Sequence, residues 1–120
     1  MTPFRAFVRE ATARKLDTKI TILYSVRTTR SIIFKDEFHQ MELENPNFSF
    51  YVTCTRLRED EAWGGRRGRI TSRWVRESIR DLPNTVFYAC GPNALVEATE
   101  HLVTEDLKVP KEQMKVEKWG

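Results

Sequence analysis

Cys90-Gly91-Pro92-Asn93 concentrates more potential chemistry than any other stretch of this sequence. It follows Thr85 to Cys90 (TVFYAC), whose β-branched and aromatic residues read as a strand. It precedes Ala94, Leu95, Ala98, Leu102 and Val103, whose spacing reads as a helix. Glycine at such a turn lets a ligand approach the backbone closely. Proline pre-shapes the first helical turn, and the unbonded N–H groups there favour an anionic group. Two readings of Cys90 stand: a buried structural thiol, or a thiol facing a bound ligand. Two further pairs sit at the ends of strand-like runs: Ser25 and Arg27 after Lys19 to Val26, and Thr55 and Arg56 at the close of Phe48 to Thr55. A guanidinium in such a place either reads a phosphate as a forked donor or faces water. The same choice applies to the cluster Arg66, Arg67 and Arg69.

These residues need elements to hold them. Pro3 suits a first helical turn, and Phe4, Phe7, Val8, Ala11 and Leu16 give helical spacing from Thr2 to about Lys15. Lys19 to Val26 follows as a strand. Thr28, Thr29 and Ser31 are capping residues for a helix whose apolar face is Ile33, Phe34, Phe38 and Met41, closed by Asn45-Pro46. After the strand at Phe48 to Thr55, Arg56 to Arg69 is polar, contains Gly64, Gly65 and Gly68, and reads as a long loop. Thr71 or Ser72 starts a helix carrying Trp74, Val75 and Ile79, ended by Asp81-Leu82-Pro83-Asn84. Val109-Pro110 breaks the helix that follows Pro92, and Met114 to Trp119 is a short last strand. Helices alternate with strands throughout, which implies an α/β fold: a three-layer parallel sheet with helices on both faces. In such sheets ligands sit beyond the carboxyl ends of the strands, where the residues above fall.

Composition narrows the function. The 120 residues suit one domain, and 40% hydrophobic with 31% charged is ordinary for a globular chain. A net charge of +3 keeps the surface soluble or attracts an acidic partner such as a dinucleotide phosphate or an acidic electron carrier. No apolar run approaches the ~18 residues of a membrane span, and Met1 to Phe4 shows no signal-peptide pattern. Cys54 and Cys90 form no CxxC pair and have no metal-ligand spacing with His39 or His101, so reduced cytoplasmic thiols and no metal site are expected. The two histidines have no partner in sequence and are expected to face solvent. Trp63 reads as a cover over apolar surface and Trp74 as core. Trp119 reads as packing at the chain end or stacking near a flavin. Nucleic-acid binding is set aside, because no aromatic residues are interleaved with the arginine cluster.

Several pieces, in order, resemble the ferredoxin–NADP reductase superfamily. Thr2-Pro3-Phe4 and the helix after it resemble the end of that family's glycine-rich G-x-G-(I/M)-T-P-F segment. Tyr24-Ser25-Val26-Arg27 with Ile33 to Glu37 resembles its second strand and following helix. Trp63 to Ile70 resembles its W-x-G-x-x-G-R-I loop, and Val86 to Pro92 its cysteine-glycine-proline signature. Glu117-Lys118-Trp119-Gly120 resembles its common chain end. The resemblance implies NAD(P)H as cofactor, with FAD or FMN supplied by a separate flavin-binding domain or subunit. It places Thr2 and Pro3 beside the pyrophosphate and flavin, Ser25 and Arg27 at the border of the nucleotide crevice, and Thr55 and Arg56 near the adenosine ribose. Gly91, Pro92 and Asn93 form the turn under the dinucleotide. Cys90 lies close to the nicotinamide as hydride passes, as an aligning group and not a nucleophile.

The chain departs from that family in two ways. Residues 1–120 read as a single NAD(P)-binding domain without the family's first strand and glycine-rich loop, and without its flavin-binding domain. The family's strand order would set that first strand between Lys19 to Val26 and Thr85 to Cys90, so those two strands are expected to pair directly or to recruit a segment from a second copy. The leading functional expectation is an NAD(P)H-docking component of a flavin-dependent oxidoreductase, inactive by itself. The alternative is a non-catalytic nucleotide-binding or protein-interaction module that retains the fold.

Overall fold

The computed structural model describes residues 2–118, and the chain divides into two compact units, Met1–Arg69 and Ile70–Gly120. The first contains α1 (Thr2–Ala13), β1 (Ile20–Val26), a single 3-10 turn at Thr29–Ser31, α2 (Lys35–Glu44), β2 (Phe48–Cys54) and β3 (Arg66–Arg67). The three strands are parallel in the order β1-β2-β3. Ile20 pairs with Phe48, Ile22 with Phe50 and Tyr24 with Val52, so these residues share one face of the sheet. Both helices cover that face: Val8 of α1 and Phe38 and Met41 of α2 are buried with Ile22, Phe48 and Phe50. Phe38 is fully buried and stacks on Phe50 at 4.8 Å between ring centroids. Burial of such a ring contributes about 1.5–3 kcal/mol.

Edge chemistry in this unit is asymmetric. Ile20 donates to Asn47 O and Thr55 donates to Val26 O. Even-numbered residues of β1 therefore turn their amide groups to β2, and Thr21, Leu23 and Ser25 turn theirs outward. Among the described residues β1 ends its sheet. The outer edge of β2 is guarded instead. Phe48 N–H bonds Asn45 O, Phe50 N–H bonds the Glu42 carboxylate at 3.0 Å, and Gly68 N–H bonds Cys54 O.

The second unit contains α3 (Ser72–Ser78), a 3-10 turn at Leu82–Asn84, β4 (Phe87–Gly91), α4 (Asn93–His101), a wider π-helical turn at Leu102–Asp106, a 3-10 turn at Lys111–Gln113 and β5 (Met114–Lys118). Strands β4 and β5 are parallel, with Phe87 opposite Met114 and Gly91 opposite Lys118. The buried apolar residues of this stretch are Trp74, Val75, Ala89, Val96, Val103, Leu107, Val109 and Met114. Gln113 ties the entry of β5 to the entry of β4 by donating to Pro83 O and Thr85 O.

The α/β class with parallel strands is as the residue pattern implies, and several local expectations are corrected. The helix expected after Thr28 begins only at Lys35. Thr29–Ser31 makes a separate 3-10 turn, and Phe34 precedes the helix in the left-handed region at φ 57°. Packing of the Phe34 ring on the core decides that boundary over the polar caps. The loop at 56–69 holds the two-residue strand β3, whose Arg66 and Arg67 pair with Thr53 and Cys54 along the edge of β2 away from β1. The run from Thr85 becomes strand only at Phe87, after the 3-10 turn. The helix after Pro92 passes into the π turn, so Val103 and Leu107 both face inward ahead of Val109-Pro110. His39 has a partner after all: its Nδ1 lies 3.0 Å from the Glu42 carboxylate, one turn along α2. Trp74 is core as expected, and Trp119 lies outside the described residues.

Candidate nucleotide-binding site

In the first unit, the ends of β1 and β2 bring Ser25, Arg27, Thr55 and Arg56 together. Two backbone bonds join the chain at and just past the strand ends: Thr55 N–H donates to Val26 O at 2.8 Å and, outside the regular ladder, Arg56 N–H donates to Arg27 O at 2.9 Å. The backbones of Arg27 and Arg56 are thereby adjacent; both residues are exposed, and neither has a carboxylate within ion-pair distance among the described residues. Ser25 pairs with Thr53 and is half-buried, and Thr55 Oγ1 lies 3.4 Å from Val26 O.

The arginine-rich loop is held from within. The Arg67 guanidinium donates to Arg58 O at 3.0 Å and also to Glu61 O. Trp63 Nε1 donates to Arg66 O, and Thr53 Oγ1 reaches Gly68 O at 2.5 Å. The Trp63 indole lies across Gly65, where a Cβ would come within 2.5 Å of the ring. Arg67 is thus a loop brace, a role for which the sequence offered no signal, because its acceptors are carbonyls six and nine residues away.

In the second unit, β4 passes to α4 through Gly91 and Pro92. Gly91 is buried at φ 150°, a backbone conformation that L side chains rarely adopt. A Cβ there would also meet Leu95 Cδ2 at 3.0 Å. Pro92 at φ −58° hands the chain to α4, and its carbonyl accepts from Val96 N–H. No side chain caps this helix start, and Pro92, Asn93 and Ala94 are exposed. The amides of the first turn are consequently open to an anionic group. Cys90 is half-buried on the strand immediately before the turn.

The two thiols differ. Cys54 is buried at the end of β2, and burial pushes its thiol up despite the opposing positive charge of Arg67. It is a protonated packing residue at neutral pH. Burial likewise pushes up the Tyr24 phenol, against a hydrogen bond with the Ile33 backbone. Pro3 is exposed in the first turn of α1, and the Thr2 side chain lies outside the description. Three other interactions had no sequence signal: Arg5 with Glu37, Glu42 with Phe50 N–H, and Asn45 with Thr12 Oγ1. Each joins residues whose proximity depends on the fold. Among the described residues no group of His, Cys, Asp and Glu could hold a metal, and no helix is long and apolar enough to cross a membrane.

Parallel strands with ligand-type residues at their carboxyl ends, and an open helix start after a buried glycine, define a nucleotide-binding α/β protein. Residues 1–101 match the family model for the oxidoreductase NAD-binding domain, and the chain belongs to that family. It is 30% identical over 124 aligned residues to the F component of the Na(+)-translocating NADH-quinone reductase of Klebsiella pneumoniae, covering all of this chain and 30% of that protein. The flavohemoglobin of Malassezia yamatoensis, solved with FAD and heme, superposes with a TM-score of 0.81 at 20% identity, over 99% of this chain and 29% of that one. The CS-b5R domains of human Ncb5or in the NAD+ form give 0.75 at 16% identity, over 91% and 31%. These structural likenesses carry the ferredoxin reductase-type fold. The chain spans about a third of the length of the relatives it matches.

Proposed function

We propose that this chain docks NAD(P)H so that the nicotinamide passes a hydride to a flavin held by another domain or chain. The observation that carries this reading is the Cys90-Gly91-Pro92 turn: a buried glycine at φ 150°, an uncapped helix start and a half-buried thiol beside it, in a chain of the NAD-binding family. The bound nicotinamide and flavin supply the hydride donor and acceptor; the protein aligns them. Gly91 leaves the backbone bare where the ring must lie, and Cys90 fixes the ring's distance from its acceptor. The first amides of α4, at Asn93, take negative charge on the dinucleotide. Ser25, Arg27, Thr55 and Arg56 take the adenosine side of the dinucleotide. Thr2 and Pro3 serve the pyrophosphate. Residues 1–120 act as the dinucleotide-docking domain. A flavin-binding domain or subunit is the required partner, with an electron-carrier protein beyond it and a homodimer as the assembly in the cytoplasm, where Cys54 and Cys90 remain thiols.

The test is titration of the chain with NADH and NADPH, alone and with a flavoprotein partner. Nucleotide binding, no flavin absorption band, and turnover only with the partner are expected. A chain that binds neither nucleotide refutes the reading. Within a flavin-containing parent, Cys90→Ala lowers the limiting rate of flavin reduction about tenfold, as expected for a lost alignment, and changes nucleotide affinity little. An unchanged limiting rate makes Cys90 a packing residue.

A further inference from the structure

Phe34 precedes α2 at φ 57° and ψ 21°, a left-handed conformation that costs a non-glycine residue stability unless its surroundings enforce it. Two contacts enforce it. The ring packs against the buried cluster of Val8, Ile22 and Phe38. The Arg5 guanidinium of α1 also stands over the ring, 4.5 Å from its centroid. Arg5 is itself aimed: its Nε donates to the Glu37 carboxylate at 2.7 Å, and that carboxylate also faces Arg9 at 3.5 Å. Arg5, Phe34 and Glu37 therefore lock α1 to the first turn of α2.

Only the crossover 27–33 separates Phe34 from the end of β1, and it has few bonds of its own. Ser31 N–H reaches Thr28 O at 3.1 Å, Ile32 N–H reaches Thr29 O at 3.4 Å, and Tyr24 Oη reaches Ser31 O at 3.4 Å. The last two are long, and no residue of the 3-10 turn is buried. The crossover is thus weak in the middle and fixed at its ends, by the β1–β2 ladder at Arg27 and by the Arg5 lock at Phe34.

We propose that Arg5 is a positioning residue for the nucleotide: through Glu37 and the Phe34 ring it holds the 27–34 crossover, which starts at Arg27, in its binding-competent form. This role rests on the adenosine-side reading above. Arg5 does not touch the ligand and acts by preorganisation, so its loss reappears as an ordering cost on binding.

The experiment is a titration of the 120-residue chain with ADP and with 2′-phospho-ADP, followed by backbone amide NMR, for wild type, Arg5→Met and Arg5→Lys. Hydrogen exchange at Ser31 and Ile32 is read from the same samples. Arg5→Met is expected to weaken binding about five- to tenfold, the scale of one cation–π contact and one half-exposed ion pair, and to speed exchange at Ser31 and Ile32. Arg5→Lys retains a cation at both partners and is expected to recover most of both losses. Unchanged exchange at Ser31 and Ile32 in Arg5→Met overturns the proposal, as does faster exchange with unaltered affinity. If Arg5→Met fails to fold, Glu37→Gln carries the same comparison. Binding to neither nucleotide by the wild type is a separate result, which refutes the docking reading and removes the positioning role with it.

Discussion

Gly91→Ala separates two explanations for glycine at the key turn. The torsional one is that φ 150° is hostile to any side chain; the steric one is that a Cβ would meet Leu95 Cδ2 at 3.0 Å. Leu95 is half-buried and the atom met is the far end of its side chain, so a rotation of roughly 30° relieves the contact at about 0.5–1.5 kcal/mol. The torsional cost has no such escape and is about 1–3 kcal/mol. Against it stands the smaller entropy of an unfolded chain with alanine, about 0.4–1 kcal/mol. The net expectation is a loss of about 1–2 kcal/mol, with torsion as the larger part. At this chain length that lowers Tm by about 3–10 °C.

Denaturant melts of Gly91→Ala, Leu95→Ala and the double variant decide between them. If torsion dominates, the alanine at 91 costs nearly as much in the Leu95→Ala background as in the wild type, with a coupling under about 0.5 kcal/mol. Rescue of more than half the loss by Leu95→Ala would refute the torsional account and make the glycine a matter of space. A Gly91→Ala chain as stable as the wild type would refute both.

Alkylation of the folded chain at neutral pH is expected to modify Cys90 and spare Cys54 until denaturant is added; equal rates would show that the end of β2 is open. Because burial raises the Cys54 and Tyr24 pKa values above their ordinary 9.0 and 10.0, the unfolded chain ionises first as pH rises. Stability is therefore full below about pH 8–9 and falls above it, and Cys54→Ala should flatten the first part of that decline. Arg67→Met removes donors to Arg58 O and Glu61 O; limited proteolysis should then cut within 57–64 at least several times faster, and unaltered cleavage would show that Arg67 braces nothing. Thr21, Leu23 and Ser25 turn amide groups outward on a strand without a charged residue, which invites pairing with a second copy. Sedimentation should find dimers or larger species that Leu23→Lys reduces, and a monomer at every concentration would contradict this.

Period and turn chemistry made most elements legible. Strand residues 20–26 and 48–54 carry β-branched and aromatic types in runs too short for helices, and Asn45-Pro46 stops α2 at the expected place. Where the reading failed, distant residues had overridden local preference. Thr28, Thr29 and Ser31 are good caps, yet α2 starts after Phe34, because an aromatic ring gripped by the core and by Arg5 outweighs a capping bond of about 1 kcal/mol. The loop at 56–69 looked unstructured because its order comes from side chains bonding carbonyls, and any arginine in any loop could do that. The residues at the strand ends were legible for a different reason. Their positions follow from topology alone, whereas their usefulness depends on what leaves them unpaired. Arg5, Arg9, Arg58 and Arg73 all have carboxylate partners, and Arg67 has carbonyls. Arg27 and Arg56 show no carboxylate partner among the described residues, and one backbone bond, Arg56 N–H to Arg27 O, joins them past the strand ends, so in the proposed docking role their counter-ion comes from outside the chain.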